Sequence, residues 1–283
     1  MLSTVIAYGR MIKFSHTVFA LPFALMGAWL AAGGVPAWDK AGWIVVAMVG
    51  ARSAAMGMNR LVDRHIDALN PRTQGRELPR GQISPAATRW FIAAAVLLLE
   101  VAAWRLNPLC LALSPIALGV LFGYSYAKRF TALSHGLLGV ALGLAPLGAW
   151  IAVTGRFDPA IIALCLGVVC WVAGFDIVYA LQDLDFDRYA GLRSIPARLG
   201  ARPALWIART LHFAAFCCFA FVERLFHLGP AYDLGLFLVG ALMVYEHTLV
   251  RGGRLVHIER AFFTLNGYIS VTLFAFTVLD LAR

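Results

Sequence analysis

Charge is what this sequence has least of. Only 14% of its 283 residues are Asp, Glu, Lys or Arg, against about 25% in an ordinary soluble domain, while 61% are hydrophobic and the mean hydropathy is +0.76. That shortage excludes a water-soluble globule, because too little polar surface exists to cover so much apolar chain. The opening stretch MLSTVIAYGRMIKFSHTVF lacks the basic region, short apolar run and A-x-A site of a secretory signal, so the first apolar span is expected to stay in place. The five cysteines (Cys110, Cys165, Cys170, Cys217, Cys218) show no C-x-x-C spacing and no neighbouring His, which argues against zinc sites and disulfide frameworks and leaves them as packing residues. The net charge of +9 does not imply nucleic acid, since the basic residues sit in short loops between apolar runs, where membrane topology explains them.

What the chain has in abundance is apolar runs near the roughly 20 residues that cross a bilayer core. About nine are legible, near 15–34, 41–60, 86–104, 107–124, 134–153, 160–182, 206–222, 230–250 and 262–281. Backbone groups in lipid must find partners within their own segment, so the expected fold is all-α: a polytopic transmembrane bundle, taken as a single domain over residues 1–283. Arg and Lys concentrate at Arg10 and Lys13, in 60–89, at Lys128 and Arg129, in 188–209 and in 251–260. The positive-inside rule then places the N-terminus and those loops in the cytoplasm, with the protein in the cell's inner membrane. The two longest cytoplasmic loops hold nearly all the clustered acids.

The first acidic cluster continues the second span. Asn59, Asp63 and Asp67 are four residues apart, and Pro71 ends any helix near Asn70. On a helix that spacing lines one amide and two carboxylates along one face. Like charges so placed make better sense around a cation, and hard oxygen ligands suit Mg²⁺ bridging substrate phosphates. The second cluster follows the sixth span: Asp183 and Asp187 are again four apart, and Asp176 lies seven residues before Asp183. Asp185 points off that face and is read as a solvated loop acid. Any one of these acids could balance a loop arginine. Two sets at the ends of two apolar spans, with Arg72 and the pair Lys128–Arg129 on the same side, compose a site for metal ions and a polyanion such as a diphosphate.

These residues resemble the UbiA-type intramembrane aromatic prenyltransferases, whose signatures are N-x-x-x-D-x-x-x-D and D-x-x-x-D. The resemblance spans essentially the whole chain and includes 124–129 (YSYAKR) and 191–194 (GLRS). Within the family, 12–17 (IKFSHT), 67–73 (DALNPRT) and 76–79 (RELP) look most like the menaquinone prenyltransferases of the futalosine pathway. The resemblance implies a polyprenyl diphosphate donor and a Mg²⁺ cofactor. It further implies an acceptor that is 1,4-dihydroxy-6-naphthoate or, next, the 4-hydroxybenzoate of the ubiquinone pathway. It gives Asn59, Asp63, Asp67, Asp183 and Asp187 as metal ligands and Arg72 and Lys128 as diphosphate contacts, with Arg129 a weaker candidate. Tyr124, one turn before Lys128, is either a catalytic ring near the allylic cation or an interfacial belt tyrosine. Candidates for the acceptor's carboxylate are Lys13, His16 and Arg52; Arg52 alternatively pairs with Asp176, which is also counted on the substrate-binding side. Glu246 and Asn266 are polar groups at membrane depth without nameable partners.

Two other classes stay in view. A transporter would use Arg52, Asp176, Glu246 and Asn266 along a pathway, but the strongest clusters lie at one face and not at the midplane. A haem-modifying farnesyltransferase shares the family resemblance. The D-G-x-x-A-R signature of CDP-alcohol phosphotransferases is absent.

Overall fold

The computed structural model describes residues 2–12, 17–250, 258 and 264–283. Lys13 and His16 lie outside the described residues. Each of the nine apolar runs falls on a helix: α2 (Thr17–Ala32), α3 (Trp38–Leu69), α4 (Pro85–Leu106), α5 (Pro108–Ala127), α6 (Ser134–Thr154), α7 (Ile161–Ala180), α10 (Ala201–Phe226), α11 (Pro230–Leu249) and α12 (Asn266–Leu281). Around them stand a leading helix α1 (Leu2–Met11) and two short loop helices, α8 (Leu184–Tyr189) and α9 (Ile195–Leu199). Six helices are long and apolar enough to cross a membrane; α2 and α12 are apolar but shorter, and α11 carries Asp233, Glu246 and His247 along its 20 residues. The chain is an integral membrane protein.

Local signals start and stop these helices where sequence rules expect. Pro85 and Pro108 occupy first helical positions, behind caps Ser84 and Asn107 whose side chains accept from Ala87 and Cys110 backbone N–H groups. The α6 helix stops at Gly155 with φ 68, a left-handed cap that glycine adopts without a Cβ clash.

Neighbouring helices form a closed circuit, α3 against α4 and α5, α5 against α6, then α7, α10, α11, α12 and α2, which returns to α6 and α3. Small residues set the closest approach. A Cβ at Gly139 would overlap the Val169 carbonyl oxygen, and one at Gly143, a turn later, would stand 3.0 Å from the Cys165 carbonyl oxygen, so α6 and α7 meet backbone to backbone. The largest core cluster, with Phe23, Trp171, Phe219 and Tyr232 fully buried, fills the half built from α2, α7, α10 and α11. The site lies between α3, α5 and α6 and the C-terminal end of α7.

At 32 residues α3 is about 48 Å long, well beyond the roughly 30 Å hydrocarbon core. Its last turns, bearing Asn59, Asp63 and Asp67, therefore project past the apolar layer in one continuous helix that ends just before Pro71.

Candidate active site

The end of α3 meets the end of α7 across one cavity of ≈ 300 Å³, lined by Asn59, Asp63, Asp67, Asp183 and Asp187 together. Asp63 and Asp67 are 1% and 4% exposed, a burial that ionised carboxylates tolerate only with partners. Asn59 Nδ2 donates to Asp63 Oδ2 at 3.3 Å, while Lys128 Nζ stands 2.6 Å from that same oxygen and the Arg129 guanidinium 3.3 Å from the other. Arg76 donates one nitrogen to both oxygens of Asp67, at 2.7 Å each.

Asp183 is held from the loop after α3. Asn70, which caps that helix, donates to Asp183 Oδ1 at 2.8 Å. Arg72 forms a bidentate pair with the two Asp183 oxygens, with Nε to Oδ1 at 2.8 Å, and reaches the Tyr179 hydroxyl at 3.0 Å. Burial opposes the Arg72 charge, but the Asp183 hydrogen bond and the nearby negative groups outweigh it and hold the guanidinium above its ordinary value. Acids of both aspartate clusters are thus paired with the chain's own cations.

Two sequence expectations change on this geometry. Asp183 and Asp187 do not share one continuous helix: a 3-10 turn at Leu181–Asp183 separates α7 from α8. Both acids still line the cavity, while Asp185 is exposed and outside it. Nor does Arg52 pair with Asp176. Asp176 Oδ2 lies 2.7 Å from His135 Nδ1, and Arg52 Nε is buried with no hydrogen-bond partner. Arg52, Asp176, Tyr124, Arg72 and Lys128 all line the polar cavity with the aspartates. Sequence reasoning passed over Arg76, Asn70, Tyr179 and His135. Arg76 and Asn70 stood inside stretches already singled out, but a His at the start of an apolar helix carries no sequence signal of what it faces.

A second cavity, ≈ 240 Å³ and almost wholly apolar, runs between α3, α5 and α6 past Ile44, Met48, Leu113, Ala117, Leu121 and Ala145. It shares Arg52, Met56, Tyr124, Leu138 and Leu142 with the polar one, so the two meet at a common wall. No three of the described Asp, Glu, His and Cys side chains converge on one point; the carboxylates come as pairs from facing helices.

Residues 20–268 match the model of the UbiA prenyltransferase family. The chain belongs to that family. Among curated UbiA-type relatives, it is 29% identical over 281 residues to the 4-hydroxybenzoate octaprenyltransferase of Saccharophagus degradans, covering 98% of this chain and 93% of the relative. It is 30% identical to the enzyme of the same name from Yersinia enterocolitica, covering 95% and 93%. Among solved UbiA structures, the apo homologue from Aeropyrum pernix superposes with TM-score 0.86 at 33% identity over 94% of this chain and 98% of that one. The homologue from Archaeoglobus fulgidus, solved with DMAPP and Mg²⁺, shares the fold at TM-score 0.75 and 20% identity, covering 97% and 99%. This UbiA-family prenyltransferase sets its two aspartate clusters, Asn59 to Asp67 and Asp183 to Asp187, on one cavity.

Proposed function

We propose that this protein transfers a polyprenyl group from polyprenyl diphosphate to a hydroxylated aromatic carboxylate, a quinone precursor, at the cytoplasmic face of the inner membrane. The observation that carries this reading is the joined pair of cavities: a polar one walled by five carboxylates and the cations Arg72, Arg76 and Lys128, opening at Arg52 and Tyr124 into an apolar one. That division matches an amphiphile with a diphosphate head and an isoprenoid tail. The clustering of Lys and Arg in alternate loops supports the cytoplasmic orientation.

The donor set fits Mg²⁺. Asn59, Asp63, Asp67, Asp183 and Asp187 offer only hard oxygens, and two acids from each side leave the remaining positions for phosphate oxygens. When bound, Mg²⁺ supplies neutralisation of the charge that develops on the departing diphosphate. The homologue solved with DMAPP and Mg²⁺ supports the assignment.

Lys128, Arg72 and Arg76, now turned to carboxylates, sit where they can turn to diphosphate oxygens instead and hold the head group as the allylic C–O bond breaks, its electron pair leaving with the diphosphate. Tyr124, at the wall between the cavities, presents its ring or hydroxyl where the tail meets the head, beside the carbon that becomes cationic. Apolar walls exclude water from that carbon. The ring carbon ortho to a hydroxyl attacks it, and loss of the ring proton restores aromaticity. Arg52, half-buried at the same wall with its Nε buried and unpartnered, receives the acceptor's carboxylate.

The relatives' names support 4-hydroxybenzoate as acceptor. The stretches around Asp67, Arg76 and 12–17 support 1,4-dihydroxy-6-naphthoate, which we rank first. Both carry the carboxylate and ring hydroxyl this site is proposed to use. The deciding assay supplies polyprenyl diphosphate and each acceptor to membranes containing the protein, with Mg²⁺ and with EDTA. Product from one acceptor, lost with EDTA, identifies it. Folded protein giving no product from either overturns this reading and favours haem farnesylation.

A further inference from the structure

His135, the second residue of α6, is only 4% exposed. Its Nε2 accepts the Ile195 backbone N–H at 3.4 Å, and its Nδ1 lies 2.7 Å from Asp176 Oδ2. A neutral imidazole has one N–H. With Nε2 accepting, the hydrogen is on Nδ1, which donates to the carboxylate. One oxygen of Asp176 is thereby fixed from α6, and the other, Oδ1, has no hydrogen-bond partner among the described residues while Asp176 lines the polar cavity.

Asp176 does not belong to the tier of acids that faces the donor head group. It lies on α7 seven residues before Asp183 in the 3-10 turn that follows, as Arg52 precedes Asn59 by seven on α3, and both helices run toward the aspartate-rich end. At 1.5 Å per residue each lies about 10 Å deeper than its signature. The deeper tier thus holds one cation and one carboxylate, not paired with each other, on the same cavity. A diphosphate has no use for an anion there, which would repel it. A ring bearing a carboxylate and a hydroxyl has a use for both.

We propose that Asp176, positioned by His135, accepts a hydrogen bond from the acceptor's ring hydroxyl. This contact selects hydroxylated rings and, by drawing the O–H toward a carboxylate, raises electron density at the ortho carbon that attacks. It adds no bond-making step, because the hydroxyl keeps its proton. The inference rests on the aromatic-acceptor reading above and adds to it the group that recognises the hydroxyl.

The test compares the full-length protein with Asp176→Asn, His135→Leu and His135→Gln in membranes, using the acceptor that the wild type prenylates and its more acidic ring-fluorinated analogue. Asp176→Asn should lose about 10- to 100-fold in kcat/KM for the acceptor, the range for a hydrogen bond to a charged group, with the donor KM unchanged. The loss should shrink on the fluorinated ring, whose O–H needs less polarisation. His135→Leu should raise the acceptor KM, and His135→Gln, whose amide can still donate to Asp176, should recover part of it.

Losses equal on both rings, or a donor KM that rises in step, would make the pair a brace between α6, α7 and α9 and overturn the proposal. If Asp176→Asn does not accumulate, the two His135 variants decide by the same criteria. Wild-type protein inert toward both named acceptors overturns the acceptor reading, and this inference with it; an active wild type with an unaltered acceptor response in the variants overturns this inference alone.

Discussion

Lys128 Nζ at the C-terminal end of α5 stands 2.6 Å from Asp63 Oδ2 on α3, with Arg129 on the other oxygen at 3.3 Å. This nearly buried carboxylate is thus paired with two cations from one neighbouring helix end, and a ligand that claims the carboxylate frees those cations for its own phosphates. Asp63→Asn should therefore abolish turnover, by about 10²-fold or more, while leaving the amide hydrogen-bonded and the protein folded. Size-exclusion behaviour in detergent alongside the prenylation assay checks both halves, and near-native activity in Mg²⁺ would sink the metal site.

Arg72 tests geometry against charge. Its fork engages both oxygens of Asp183 as well as the Tyr179 hydroxyl, and a lysine keeps the charge without the fork. Arg72→Lys should raise the donor KM by about 10-fold with a smaller effect on the acceptor KM. Steady-state kinetics with the donor varied at saturating acceptor measures the split, and a lysine variant equal to wild type would show that only the charge matters.

The apolar cavity makes a claim about tail length. Ala117 and Leu121 line it a turn apart on α5, so Ala117→Trp should fill it without touching the carboxylates. Transfer from long polyprenyl diphosphates should fall by about 10-fold or more while a five-carbon donor is still used, because the short chain stops at the Tyr124 wall. A competition of donors from five to forty carbons reads this out. Equal loss at every length would place the tail elsewhere.

Gly139 tests the packing of α6 on α7. Its absent Cβ is where the Val169 carbonyl oxygen lies, so Gly139→Leu must push the helices apart and should lower stability by about 1–3 kcal/mol or more. Thermal unfolding in detergent should show a lower midpoint, whereas the same change at Gly119, where a Cβ meets nothing within 4 Å, should not.

Glu246 is fully buried and accepts from Asn266 Nδ2 at 3.1 Å, and His212 and His247 stand beside it in a polar cluster within the bundle. Glu246→Gln keeps an acceptor for Asn266 and should be close to neutral. Glu246→Leu removes it and should destabilise by about 1–3 kcal/mol. Unfolding midpoints of the two variants check the difference, and a destabilised Gln variant would mean that the carboxyl group itself is required.

The placement of the nine helices on apolar runs was legible in the sequence because it follows from single-segment physics: an apolar run of bilayer length must be a helix, and Pro85, Pro108 and Pro71 punctuate such runs whatever the rest of the chain does. The four-residue spacing of Asn59, Asp63 and Asp67 is likewise a property of one helix, and it survived folding intact. The second signature fared less simply, since a 3-10 turn at Leu181–Asp183 separates α7 from α8 and breaks the single-helix spacing.

Everything that depends on two helices meeting was decided by the tertiary structure. Arg52 and Asp176 could have paired by charge alone, yet His135, 41 residues from Asp176 along the chain, took the carboxylate, and no periodicity within α6 announces that contact. Arg76 on Asp67 and Arg72 on Asp183 were equally open among many loop cations, because a sequence lists charges without saying which lie within a few ångströms. Coulomb attraction and hydrogen bonding act over that short range, so packing chose the partners. The junction of a polar cavity with an apolar one at Arg52 and Tyr124 is a property of the space between α3, α5 and α6, and that space exists only once the helices have been brought together.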